Sequence, residues 1–130
     1  MIEEAHVSST RELIMTVYKA FKARDIPGVL AKMHADVDWP NGMEGGSVHG
    51  HGGVREYWER QWKMVDPHVE PMRIEDDESG RTVVTVQQVV RDLGGNVLFD
   101  RLVEHVYSIR DNLIQGMEIR ETVSGTSTQD

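Results

Sequence analysis

The chain has 130 residues, no cysteine, and 14 Lys and Arg against 22 Asp and Glu, for a formal net charge of −8. That length suits one domain with one core, since two would each be marginal in size. The absent cysteine excludes disulfides, thiolate metal sites and cysteine nucleophiles, while the acidity argues against nucleic acid and anionic membranes as partners.

In chain order, the start Met1-Ile2-Glu3-Glu4 has neither a basic leader nor an apolar run, and no later segment approaches eighteen apolar residues. The expectation is a cytoplasmic protein with no membrane partner. Ser9-Thr10-Arg11-Glu12 has the form of a capping box, and Leu13, Val17 and Phe21 follow at spacing four. This predicts a helix over about 10–23. Asp25 is placed to cap a short second helix, with Pro27 in its first turn and Val29, Leu30 and Met33 inward, ending near His34.

Val37-Asp38-Trp39-Pro40 reads as a short strand stopped by proline. The stretch PNGMEGGSVHGHGG, with six glycines, reads as a loop leading to a third helix over about 54–64, signalled by Val54, Tyr57, Trp58 and Trp62. From His68 the period becomes two. Strands are expected over 68–77, 81–92, 97–109 and 113–121, with turns at Ser79-Gly80, Gly94-Gly95-Asn96 and Asp111-Asn112. Residues 122–130 (TVSGTSTQD) read as a flexible polar tail, so the folded part of a single domain spans about 10–121. Helices first and a meander after them predict an α+β domain, with three helices on one face of a strongly curved, mostly antiparallel sheet.

The segments VYKAFKARDIPGVLAKMHADVDW, HGHGGVREYW and LVEHVYSIRDNLIQGMEI resemble the nuclear transport factor 2-like superfamily, in its SnoaL-like and ketosteroid-isomerase-like branch. The resemblance covers about 11–121 and implies a cone whose bent sheet wraps the helices around a pocket. It also implies small-molecule chemistry of the isomerase, cyclase or dehydratase kind, and a homodimer formed through the outer sheet face.

Alternation on the strand over 97–109 puts Phe99, Arg101, Val103, His105, Tyr107 and Ile109 on one face. Matched to the SnoaL-like cyclases, His105 falls at their pocket histidine, and an imidazole there can move a proton or bond a developing enolate. The cyclases' acid position falls on Ile119, leaving Glu121 as the nearest same-face carboxylate. The isomerases' base position falls on Trp39, with Asp38 before it, and their helix-one tyrosine falls on Val17 beside Tyr18. Neither acid–base set carries over whole.

The candidate catalytic residues are therefore His105, Glu121 and Asp38, with Trp39, Tyr18, Tyr57, Arg101, Tyr107, Met117 and Ile119 as substrate-binding residues. Arg101 could instead pair with an acid on a neighbouring strand. His49-Gly50-His51 with His34 lacks a third ligand at fixed spacing, and no phosphate-loop pattern occurs, so no metal or cofactor is expected. The expected partner is a small apolar or carbonyl-bearing molecule, handled by acid–base chemistry or bound without turnover. Leu98, Leu102 and Val106, opposite His105, form the surface expected to pair two subunits. An interaction module is the third reading.

Overall fold

The computed structural model describes residues 2–42 and 44–121, with side chains from Ser9 onward. Helix α1 (Ile2–Lys22) turns Leu13, Ile14, Val17 and Tyr18 inward on one face. It starts a full two turns before the expected cap, so Ser9 and Glu12 are interior helix positions. Glu3, Glu4 and Ala5, all strong helix formers, lie in that extension. Arg24 closes the helix in the left-handed region, at φ 58°. Its guanidinium bonds the Asp66 carboxylate and the Pro67 carbonyl, tying the turn to a segment some forty residues on.

Helix α2 (Ile26–Leu30) is capped as expected, the Asp25 carboxylate accepting from the Gly28 N–H at 3.1 Å. It stops at Leu30 rather than near His34, because Met33 and His34 open strand β1 (Met33–Pro40). The strand is drawn out by a late partner. Met33 lies in register with Ile114, and the Ile114 N–H donates to the Lys32 carbonyl at 2.9 Å.

The glycine-rich stretch holds a strand that periodicity did not reveal. β2 (Ser47–His49) pairs antiparallel with β1, across a turn in which Gly45 and Gly46 both take positive φ (87° and 74°). Helix α3 (Gly50–Gln61) begins four residues earlier than expected and buries Val54, Tyr57 and Trp58. Strands β3 (Val65–Asp76), β4 (Thr82–Asp92), β5 (Val97–Arg110) and β6 (Leu113–Glu121) form the antiparallel meander. Their turns fall where the sequence put them, with Gly80, Gly95, Asp111 and Asn112 at positive φ.

The six strands form one sheet in the order β2-β1-β6-β5-β4-β3, with β1 parallel to β6 and every other pair antiparallel. The α+β architecture is as expected. Its core packs α1, α2 and α3 against inner-face residues Val84, Val86, Val103, Tyr107 and Ile114, all nearly free of solvent. Helical cover ends partway along β5: Val103 and His105 are buried, whereas positions 97–102 are exposed. Register carries the same boundary to β6, where Ile119 and Glu121 face His105 and Val103. Among the described residues, no helix is long and apolar enough to cross a membrane.

Candidate functional site

His105 stands where the helices stop covering the sheet, yet its side chain is almost wholly buried, with 6% of the residue exposed. Strand β5 aims it inward, and Tyr18 on α1 meets it from the opposite layer. The Tyr18 hydroxyl lies 2.7 Å from Nδ1 of His105, and the Tyr107 hydroxyl donates to Tyr18 at 2.9 Å. Three buried side chains thus form one hydrogen-bonded row. Burial pushes the His105 pKa down to about 4, because a charged imidazole would lose its hydration. The same desolvation raises Tyr18 and Tyr107, so all three groups are neutral at pH 7.

A cavity opens beside the row, lined by Val17, Tyr18, Phe21, Val29, Trp39, Trp58, Val69, His105 and Tyr107. About 30 Å³ of it is open to the centre of a water molecule, room for a water or two and well short of a ligand-sized pocket. Aromatic rings set its walls. Trp39 packs edge-on to Trp58 at 5.5 Å between centroids, and Phe21 does likewise at 5.5 Å. Trp62 stacks on Trp58 from the far side at 5.7 Å. Among the described residues no carboxylate lines the cavity and none hydrogen-bonds to His105.

Of the ten residues expected at the site, four line this cavity together: His105, Tyr18, Trp39 and Tyr107. The rest are placed elsewhere. Asp38 leaves the outer side of β1, exposed, and its carboxylate bonds Nδ1 of His49 at 2.8 Å. Alternation explains this, since Val37 and Trp39 take the inward positions on either side of it. Glu121 is exposed and pairs with Arg101 at 3.6 Å, the neighbouring-strand pairing weighed for that arginine. Arg101 also bonds Gln88 and lies over the Phe99 ring, so it faces solvent rather than the cavity.

Ile119 is directly opposite His105 in register but beyond the helical cover, and is 38% exposed. Met117, opposite Tyr107, packs against the core without lining the cavity. Tyr57 is buried, but its hydroxyl accepts from the Gly42 N–H and from Gln61, which fastens the β1–β2 loop to α3. Periodicity alone did not select the lining residues Val17, Phe21, Val29, Val69 and Trp58. The signal for two of them was present: Val17 and Phe21 share the α1 face of Tyr18.

The histidines weighed for a metal are each engaged in structure. His34 bonds the Arg110 carbonyl, His51 the Met33 carbonyl and His49 the Asp38 carboxylate. Among the described residues no three His, Asp or Glu side chains gather as a metal site.

A family model described as the SnoaL-like domain matches residues 15–117. The chain belongs to the SnoaL-like family. Among curated proteins no relative matches it. Solved structures similar to this SnoaL-like chain include TerC co-crystallised with polyporic acid, at 28% identity, TM-score 0.76, and coverage of 92% of this chain and 96% of that one. A nuclear transport factor 2-like protein of unknown function from Burkholderia pseudomallei has 24% identity and TM-score 0.76, covering 92% and 95%. A Mycobacterium tuberculosis protein in complex with estradiol-17beta-hemisuccinate has 17% identity and TM-score 0.74, covering 89% and 95%. These likenesses match the conical α+β fold expected from the sequence.

Proposed function

We propose that this SnoaL-like domain acts on a small, largely apolar, carbonyl-bearing molecule, in a reaction of the isomerase, cyclase or dehydratase kind centred on His105. The observation that supports it most is a buried imidazole at the edge of an apolar, aromatic-walled cavity. A polar group in such a place interacts with a bound carbonyl far more strongly than it would in water. Trp39 and Tyr107 are the walls in this reading, and Tyr18 supports the imidazole. Small-molecule ligands in two relatives of the same fold agree with it.

The test is turnover of a panel of small ketones and enols by the wild-type chain and by His105→Ala. Loss of about 100-fold or more, with the fold intact by circular dichroism, supports the reading. Equal turnover by His105→Ala rejects it.

A second reading, a binding protein without turnover, is favoured by the distance of the acids: Asp38 and Glu121 are spent on His49 and Arg101 at the surface. A tightly held ligand recovered chemically unchanged supports this reading, and its conversion rejects it.

We propose in addition that two copies pair through the outer sheet face. Leu102, 41% exposed, supports this, with Val97 near it on the same strand. Leu98, 48% exposed, lies at a register shift between β4 and β5, while Val106 is already covered at 1% exposure and does not serve as the sequence suggested. Light scattering of the wild-type chain and of Leu102→Glu tests the pairing, which the variant should abolish.

A further inference from the structure

The row of three hydrogen-bonding side chains can be protonated in three ways, and they are not equivalent: if Tyr18 accepted from both Tyr107 and Nδ1–H, its own buried hydrogen would have no acceptor. Tyr107 has one partner, Tyr18, while Tyr18 has two, Tyr107 and Nδ1 of His105. In one arrangement Tyr107 donates to Tyr18 and Tyr18 donates to Nδ1, which places the imidazole hydrogen on Nε2. In the reverse, Nδ1–H donates to Tyr18 and Tyr18 donates to Tyr107. The buried Tyr107 hydroxyl hydrogen would then have no acceptor, an expensive loss at 1% exposure. A phenol is also the stronger acid and imidazole nitrogen the stronger base, so the phenol-to-nitrogen direction is the better bond.

The free atom is then Nε2. It has no hydrogen-bond partner among the described residues, and the residue lines the cavity. Both tyrosine hydroxyl hydrogens are used within the row.

We infer that Tyr107 and Tyr18 act as positioning residues that hold His105 as the Nε2–H tautomer, a neutral donor for a ligand carbonyl oxygen. This rests on the reading of His105 as the polar centre of the site and makes it specific.

Nitrogen-15 NMR of the imidazole-labelled protein at neutral pH reads the tautomer directly. Wild type should carry the hydrogen on Nε2 by about ten to one or more, since one good hydrogen bond is worth roughly that factor. In Tyr18→Phe the ratio should fall toward that of free histidine, and in Tyr107→Phe it should move partway. Tyrosines that merely fill space would leave it unchanged. An Nδ1–H tautomer in wild type, or an unchanged ratio in Tyr18→Phe with a native methyl spectrum, overturns the assignment.

Ligand chemistry is tested with cyclopentanone against methylenecyclopentane, which has nearly the same shape and no oxygen. The ketone should bind about ten times more tightly and shift the Nε2-bound hydrogen. Equal affinity, or binding of neither, overturns the acceptor-ligand part. The His105→Ala turnover experiment reports separately: it can reject His105 as the centre while the tautomer stands, and the tautomer can fail while His105 remains essential.

Discussion

Tyr18 on α1 and His105 on β5 join the helical layer to the sheet, with the phenol oxygen 2.7 Å from Nδ1 and the two ring planes within 11° of parallel. The bond is made between neutral groups in a place that water scarcely reaches. Its strength therefore depends on keeping the imidazole uncharged, which has consequences for stability, pH and mutation.

The first concerns acid. His105 has a pKa of about 4 when folded, against 6.5 for the exposed side chain. Between those values the unfolded chain binds the extra proton and the folded chain does not, so stability increases with pH through that window. The contribution is complete above about pH 6.5 and gone below about pH 4, and is worth roughly 3 kcal/mol. Urea unfolding at pH 7 and pH 4.5 should show a smaller loss of stability in His105→Gln than in wild type. Equal losses would place the acid sensitivity elsewhere.

The two tyrosines should not behave independently. Tyr107→Phe removes one donor and should cost about 1–2 kcal/mol. Tyr18→Phe removes the middle of the row, leaving both the Tyr107 hydroxyl and Nδ1 unpaired, and should cost more. The double variant should cost clearly less than the sum, because only one buried group is then left wanting. Additive costs in chemical denaturation would mean that the tyrosines contribute as separate packing units.

At the start of α2 a similar coupling is visible in miniature. A Cβ added at Gly28 would lie 2.3 Å from the Asp25 carboxylate that caps the helix. Asp25→Ala should cost about 1 kcal/mol by losing the cap. Gly28→Ala should cost a comparable amount, since the carboxylate must swing away. In the Asp25→Ala background the same glycine substitution should be neutral or stabilising, as alanine favours helix over glycine. Thermal midpoints of the four chains measure this cycle.

Trp58 is the hub of the aromatic wall, with Phe21, Trp39 and Trp62 around it. Trp58→Ala should destabilise by about 3–5 kcal/mol. Where the variant still folds, it should admit larger apolar ligands than wild type, because the space now limiting the cavity is side-chain volume. Xenon or benzene binding by NMR would show the gain, and its absence would mean that the core collapses into the gap.

Alternation and turn chemistry made the meander legible almost to the residue: Gly80, Gly95 and Asp111-Asn112 turn the chain where local chemistry requires positive φ. The same alternation found His105 and Tyr107, and spacing on α1 found Tyr18. The failures on β5 and β6 have a common cause. Glu121, Arg101 and Ile119 were judged by position along a strand, and position says nothing about where helices on the other layer stop, while Asp38 points out of β1 by simple alternation. Arg101 and Glu121 do lie on the face of His105, but past the last helical residue, so they meet solvent and each other. Likewise β2 is three residues long and flanked by glycines, too short for periodicity, and exists because β1 offers it an edge.

The parallel pairing of β1 with β6 also orders events in time. The first strand of the sheet has its main neighbour in the last, more than seventy residues downstream, and β2 is its sole other strand partner. During synthesis α1, α2 and α3 emerge with their apolar faces uncovered and no wide sheet to close against. The meander β3–β6 can assemble by local hairpins as it leaves the ribosome, but β1 must wait for residues 113–121. The row from Tyr107 through Tyr18 to His105, and the cavity beside it, therefore come into being only when the two halves of the chain close on one another.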